Sequence, residues 1–289
     1  MTTVWLNGEF TTPEEARISA FDAGFQHSVG LFETLSGRGE TVLQLLQHLD
    51  RLSESARCLG LSERMRSDAL AEAILLSVKK SGLERSRIRV TVTGGDLNLL
   101  QGGTTHDPTV LIVVQPATEY PDELFERGVS VTVADGRRNP LDPFESHKTL
   151  DYWSRLAALQ AAAARGASEA LWFSVSNHLV GGCVSNAVAV KDGVFTTPLA
   201  RGEEPEGGLP SPVLPGIVRE EVLGWAAAEG RLVKREMMGI EDLLSADEIF
   251  LTNSSWGILP VTSLERETIG AGGPGPVATA LREWWLRDE

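Results

Sequence analysis

Lys148, in the segment SHKTLDYW, puts an amine at the start of a stretch whose apolar residues recur at helical spacing. Such an amine forms a Schiff base with a carbonyl once burial or a neighbouring positive charge leaves it nucleophilic. Two distant segments carry what a phosphate group needs. HLDRL sets the forked cation of Arg51 beside an apolar helical stripe. LPGIVRE sets Gly216, Ile217 and Val218 behind a proline at a helix N-terminus, where backbone N–H groups and the helix dipole favour an anion. Thr252, at the end of EIFLT, adds a hydroxyl. Together these are the requirements of a small phosphorylated carbonyl compound, whereas a lysine alone is most simply a solvated charge.

The elements that must carry these groups are legible as patterns. VWLNGEF and LFETLS read as short strands. Leu45, Leu49, Leu52, Ala56 and Leu59 recur as one face of a helix that Gly60 ends. A second helix runs from Ser67 to Lys80, and RIRVTVTGG and PTVLIVVQP follow as strands. The Pro- and acid-rich QPATEYPDE is the best linker, which puts a boundary near residues 116–122. Beyond it VSVTVAD, EALWFSV, AVAVKDGVF and DEIFLT read as strands and 149–165, 216–229 and 276–287 as helices, so the fold class is α/β.

Composition removes whole classes of function. With 289 residues and 42% hydrophobic content the chain can bury two cores. A net charge of −14 argues against a nucleic-acid partner, because phosphate backbones are bound through clustered Lys and Arg. Cys58 and Cys183 make neither a disulfide framework nor a metal site. No apolar run approaches the roughly 20 residues of a membrane helix, and the N-terminus lacks the pattern of a signal peptide, so the expected location is cytoplasmic. No GxGxxG opens a helix after a strand.

AFDAGFQHSVGLFET, HLDRL, SHKTLDYW, GGCVSNAVAVKDGVF, LPGIVRE and FLTNSSWGILPV follow one another between Trp5 and Val261. In that order they resemble the motifs of the class IV (fold type IV) pyridoxal 5'-phosphate (PLP) enzymes. That family holds branched-chain aminotransferases, D-amino acid aminotransferases and 4-amino-4-deoxychorismate lyases. The resemblance implies a D-amino acid aminotransferase-like fold: a small N-terminal α/β domain, residues 1–118, and a larger C-terminal α/β domain, residues 119–289, carrying the Schiff-base lysine. It further implies a homodimer, PLP in the cleft between the domains, and a small amino substrate. Lys148 becomes the catalytic residue, since Lys79, Lys80, Lys191 and Lys234 lie in charged or turn-like surroundings. Arg51, Gly216, Ile217, Val218 and Thr252 go to the cofactor phosphate; Asn253, Phe32 and His27 go toward the substrate. Alone, Arg51 would be a solvated helix charge and Thr252 a strand-end turn residue. His27 fits a core or hydrogen-bonded role equally well, and Glu33 matches a family position without a role of its own.

Departures from the pattern matter as much. The family's EGSxSN-like segment carries a glutamate that holds the proton on the pyridine nitrogen; here the stretch is Gly181-Gly182-Cys183-Val184-Ser185-Asn186. Without it the ring is a poorer electron sink, unless a water or another residue supplies the contact. A glutamate returned at position 181 is expected to restore ring protonation. Residues 95–105, GDLNLLQGGTT, lack the basic pair of the D-amino acid aminotransferases, and His106 reads as a loop residue. FLTNSSWGILPV is similar to the FLTNSxxGxxPV form of the lyases. The resemblance therefore points first to a 4-amino-4-deoxychorismate lyase that releases pyruvate and forms 4-aminobenzoate. The alternatives are a branched-chain-type aminotransferase and a divergent or non-catalytic PLP binder.

Overall fold

The structure is a computed structural model that describes residues 2–63, 65–96 and 108–288. The chain divides into two compact units: Met1–Glu119 with His147–Tyr152, and Tyr120–Ser146 with Trp153–Glu289. Lys148 therefore belongs to the N-terminal unit and not to the C-terminal one in which the sequence reading placed it.

The first unit contains β1 (Thr3–Leu6), β2 (Glu9–Thr11), α1 (Ala23–His27), β3 (Gly30–Arg38), β4 (Thr41–Val42), α2 (Leu45–Cys58), α3 (Ser67–Ser81), β5 (Arg85–Thr93) and β6 (Val110–Pro116). Its strands form one sheet in the order β2-β1-β6-β5-β3-β4, with antiparallel neighbours throughout. Period-two burial along β5 sends Ile88, Val90 and Val92 to the face that also receives Leu49, Leu52 and Ala56 of α2 and Ile74 and Val78 of α3. Each such leucine or isoleucine contributes on the order of 1.5–3 kcal/mol by leaving water. That packing fixes α2 across β3, and so fixes what α2 carries.

β4 covers only Gly37 and Arg38 of β3, which leaves the other end of that edge open. The segment around Lys148 fills it. Leu31 bridges Thr149, Phe32 N donates to Lys148 O at 3.0 Å, and Leu150 N donates to Gly30 O at 3.0 Å. These bonds correct the expected helix start: a backbone spending its N–H and C=O groups on a sheet edge is not available to a helix. The helix begins only at Trp153.

The second unit contains α4 (Glu123–Glu126), β7 (Val129–Arg138), α5 (Trp153–Ala164), β8 (Glu169–Ser174), β9 (Leu179–Gly182), β10 (Asn186–Lys191), β11 (Val194–Thr197), α6 (Ile217–Ala228), β12 (Val233–Arg235), α7 (Ile240–Leu244), β13 (Glu248–Asn253), β14 (Gly257–Leu264), β15 (Glu267–Thr268) and α8 (Pro276–Asp288). The sheet runs β12-β11-β10-β13-β14-β7-β8-β9, with β15 on β14. β7 and β8 are parallel and joined through α5, the βαβ unit expected of an α/β region. Among the described residues no helix is long and apolar enough to cross a membrane, and no group of three or more His, Cys, Asp or Glu could hold a metal ion.

Candidate active site

In the first unit the chemistry gathers on β3. The Lys148 ammonium lies 4.6 Å from the centre of the Phe32 ring and 5.8 Å from that of Tyr152, and those rings meet edge-to-face at 5.2 Å. The Arg89 guanidinium stands 3.9 Å from the Phe32 ring centre. Burial and the neighbouring Arg87 loosen the Arg89 proton, against the pull of Tyr152. Phe32 is thus a buried aromatic wall beside two cations, as cation–π attraction allows.

On the opposite face of β3, Glu33 is 1% exposed. Arg51 Nε donates to Glu33 Oε1 at 2.8 Å and Arg51 Nη2 to Oε2 at 2.6 Å, while His48 Nδ1 reaches Oε2 at 2.8 Å. Burial alone would raise the Glu33 carboxyl; the Arg51 charge and the hydrogen bonds from His48 and Arg51 hold it at about 2. Burial pushes the His48 imidazole down, helped by the Arg51 and Lys148 charges and opposed by Glu33. The carboxylate is acceptor-only, so His48 Nδ1 carries the hydrogen. Arg51, a solvated charge on its own, is in fact half of a buried ion pair. His147 Nδ1 touches Ser55 Oγ at 2.9 Å, a second tie between α2 and the lysine segment.

The second unit brings together donors that are largely backbone. α6 has Gly216 as its N-cap and no side-chain cap, so the amides of Ile217 and Val218 are the ones a helix leaves without an internal acceptor. Thr252 pairs with Asn186 across β13 and β10; it is 1% exposed, and its hydroxyl is buried without a hydrogen-bond partner. Asn186 Nδ2 donates to Leu214 O at 2.9 Å, and a side chain at position 216 would run into the Asn186 amide oxygen. A buried hydroxyl left unbonded beside a glycine cradle and an uncapped helix is the donor set that suits a phosphate. Arg219 anchors that helix: fully buried, it donates to Thr197 Oγ1 at 3.1 Å and Pro198 O at 2.9 Å and pairs with Glu203 and Glu220.

Gly181 has φ +137°, and a Cβ built there stands 2.9 Å from Ser185 O. Only glycine fits this backbone without a shift, so a glutamate at 181, expected to restore ring protonation, would enter under strain. Two carboxylates flank the stretch and both are committed. Glu169 accepts from the amides of Ala170, Cys183 and Val184 and from Ser185 Oγ at 3.0–3.2 Å. Glu145 accepts from Arg138 Nη1 at 3.0 Å and pairs with Arg155 at 3.6 Å; Arg155 in turn donates to Gly182 O, and Arg138 lies 3.8 Å from the Trp172 ring centre. Burial and Glu169 push the Cys183 thiol up to about 12, so it is no nucleophile.

Asn253 braces two loops: its side-chain oxygen accepts from the amides of Ser255 and Trp256, and Nδ2 donates to Val184 O at 3.2 Å. His27 is exposed at the end of α1, which Asp22 caps. The segment read as lacking a basic pair falls, from Leu97 through Thr105, outside the described residues, as does His106. Sequence reasoning passed over His48, Arg89, Tyr152, Asn186 and Glu169. His48 was findable, because it shares the buried face of α2 with Leu52 and Ser55 at spacings of four and seven.

Comparisons agree with this architecture. A family model described as amino-transferase class IV matches residues 30–264. The branched-chain-amino-acid aminotransferase of Escherichia coli K12 is 26% identical over 97% of this chain and 90% of its own length. The T.th. branched-chain amino acid aminotransferase with pyridoxamine 5'-phosphate superposes with a TM-score of 0.89 at 26% identity, covering 99% of this chain and 93% of that one. A 4-amino-4-deoxychorismate lyase from Pseudomonas aeruginosa superposes at 0.84 and 27%, covering 99% and 98%.

Proposed function

Because the chain belongs to the class IV aminotransferase family and is a PLP-dependent enzyme, we propose that it is a 4-amino-4-deoxychorismate lyase. TM-score and identity rank the aminotransferase and lyase relatives in opposite orders, so overall likeness does not choose between them. Gly181 carries the choice. By the family resemblance the pyridine-nitrogen carboxylate belongs at position 181, where this backbone takes a side chain only with a shift, and Glu169 and Glu145 are already engaged. Aromatisation of the substrate ring on loss of a proton and pyruvate supplies driving force of its own, which a transamination lacks. That lowers the demand on the cofactor as electron sink.

In this reading Lys148 Nζ is the amine that would hold the cofactor through its aldehyde carbon, with loss of water, and that, once released, would carry the substrate proton. Arg51, the α6 amides at Ile217 and Val218 behind Gly216, and the Thr252 hydroxyl hold the phosphate. Phe32 walls the reacting end, and Asn253 shapes the 253–256 turn near the substrate, with His27 at its periphery. When bound, PLP withdraws electrons from the substrate carbon that loses its proton. The test is formation of fluorescent 4-aminobenzoate from enzymatically generated 4-amino-4-deoxychorismate. Product that vanishes in Lys148→Ala supports the lyase; no product from cofactor-loaded protein overturns it.

Likeness to branched-chain aminotransferases, which is on a par with the likeness to the lyase, keeps a branched-chain-type aminotransferase as the second reading. An L-amino acid that bleaches the visible band of the lysine-bound cofactor, with release of a keto acid, would establish it.

A further inference from the structure

Four consecutive residues of β3 hold both groups that the proposed function assigns to opposite ends of the cofactor. Gly30, Leu31 and Phe32 register the Lys148 segment through backbone bonds and the Leu31–Thr149 bridge. Glu33, the next residue, holds Arg51 through two oxygens and His48 through one. Alternation along the strand explains the division of labour. Phe32 faces Lys148, while Glu33 points with Leu31 and Leu35 toward α2.

We infer that Glu33 is a positioning residue that sets the Arg51 guanidinium for the cofactor phosphate and ties its register to that of Lys148. The inference rests on the proposed roles of Arg51 and Lys148. A forked, two-point contact fixes the plane of a guanidinium as one bond does not, and burial of Glu33 keeps water from replacing either oxygen. His48 supplies a third donor, so the carboxylate is gripped from two residues of one helix three positions apart. The arrangement places the phosphate cation by reference to the strand that carries the lysine.

The experiment is a titration of cofactor-free protein with PLP and, separately, with pyridoxal, which lacks the phosphate, following the visible band of the lysine-bound form. Glu33→Gln keeps the shape and removes the charge and one acceptor. It is expected to weaken PLP roughly tenfold or more, the size usual for loss of a supporting contact, and to leave pyridoxal within about twofold. Arg51→Met is expected to behave likewise, and the double variant to be no worse than Arg51→Met alone. Equal weakening of PLP and pyridoxal by Glu33→Gln, or none of either, overturns the inference while the cofactor assignment stands. If Arg51→Met does not discriminate between the two, the assignment of Arg51 to the phosphate falls and takes the inference with it. Glu33→Asp, which keeps the charge and withdraws it by one methylene, decides the matter if the glutamine variant does not fold; selective loss of PLP is again the supporting result.

Discussion

The two units arrange their buried polar groups with different materials. In the first, side chains do it: Glu33, Arg51 and His48 interlock under β3, and Lys148 is registered on the same strand. In the second, backbone does it: an uncapped helix end, a glycine cradle at Gly216 and, within β9, a positive-φ glycine at 181. A side-chain device fails by losing charge or hydrogen bonds and is sensitive to pH. A backbone device fails by gaining atoms and is sensitive to volume and strain.

The largest expected effect strikes the first device. Lys148→Ala should abolish the visible cofactor band and all turnover, yet leave the fold intact, because Lys148 contributes to β3 through its backbone carbonyl. The absorbance of the cofactor band checks it; a retained band would remove Lys148 from its role.

The second device should fail by addition. Gly181→Glu asks a side chain to occupy φ +137° and to sit against Ser185 O. It should cost about 1–3 kcal/mol of stability without strengthening cofactor binding. Urea unfolding of the cofactor-free protein measures the first, and titration with PLP the second. A variant as stable as the parent would show that the 181–185 backbone yields easily and would reopen position 181 to a carboxylate.

Acid should separate the units again. Glu33 and His48 both have depressed values in the folded chain, from 4.5 to about 2 and downward from 6.5. Their contribution is therefore complete above pH 6.5. It starts to fall as the unfolded chain's His48 takes a proton, and the Glu33 part falls below 4.5 and is gone near 2. The Glu33 share is on the order of 3 kcal/mol. The stability gap between wild type and Glu33→Gln, read from urea midpoints, should shrink as pH drops below 4.5; a gap constant with pH would mean that Glu33 does not titrate as a buried ion pair.

Legibility in the sequence follows the same divide. The amphipathic helices α2, α3, α6 and α8 and the apolar strands β5, β7, β8 and β13 stand within a few residues of where periodicity puts them, because each buries a continuous face. β14 escapes a strand reading: Pro260 interrupts its pattern, although it pairs with Phe250. The stretch 187–195 is two strands folded back at Asp192–Gly193, where both residues have positive φ. Short α1, α4 and α7 are fixed by tertiary bonds and not by propensity. At the site, residue types are visible in the sequence and partners are not. Nothing local joins Glu33 to Arg51, eighteen residues apart; they meet only because α2 packs on β3. Lys148 is found by type and misplaced by pattern, since an edge bond to β3 leaves no periodic trace.

The smallest effect is also the one that best distinguishes a phosphate site from a packing defect. The Thr252 hydroxyl is buried beside Asn186 with no partner, a state that costs free energy unless something binds there. Thr252→Val removes the hydroxyl and keeps the shape. In cofactor-free protein it should be neutral or stabilising by up to about 1 kcal/mol. In the same protein it should weaken PLP several-fold, by roughly the net worth of one ordinary hydrogen bond, and leave pyridoxal unaffected. Opposite signs from one methyl-for-hydroxyl exchange follow only if the orphaned group is reserved for the phosphate. Thermal melts with and without PLP, set beside the two titrations, read both signs; a variant that loses stability and cofactor affinity together would make Thr252 an ordinary core residue and leave the α6 amides to hold the anion.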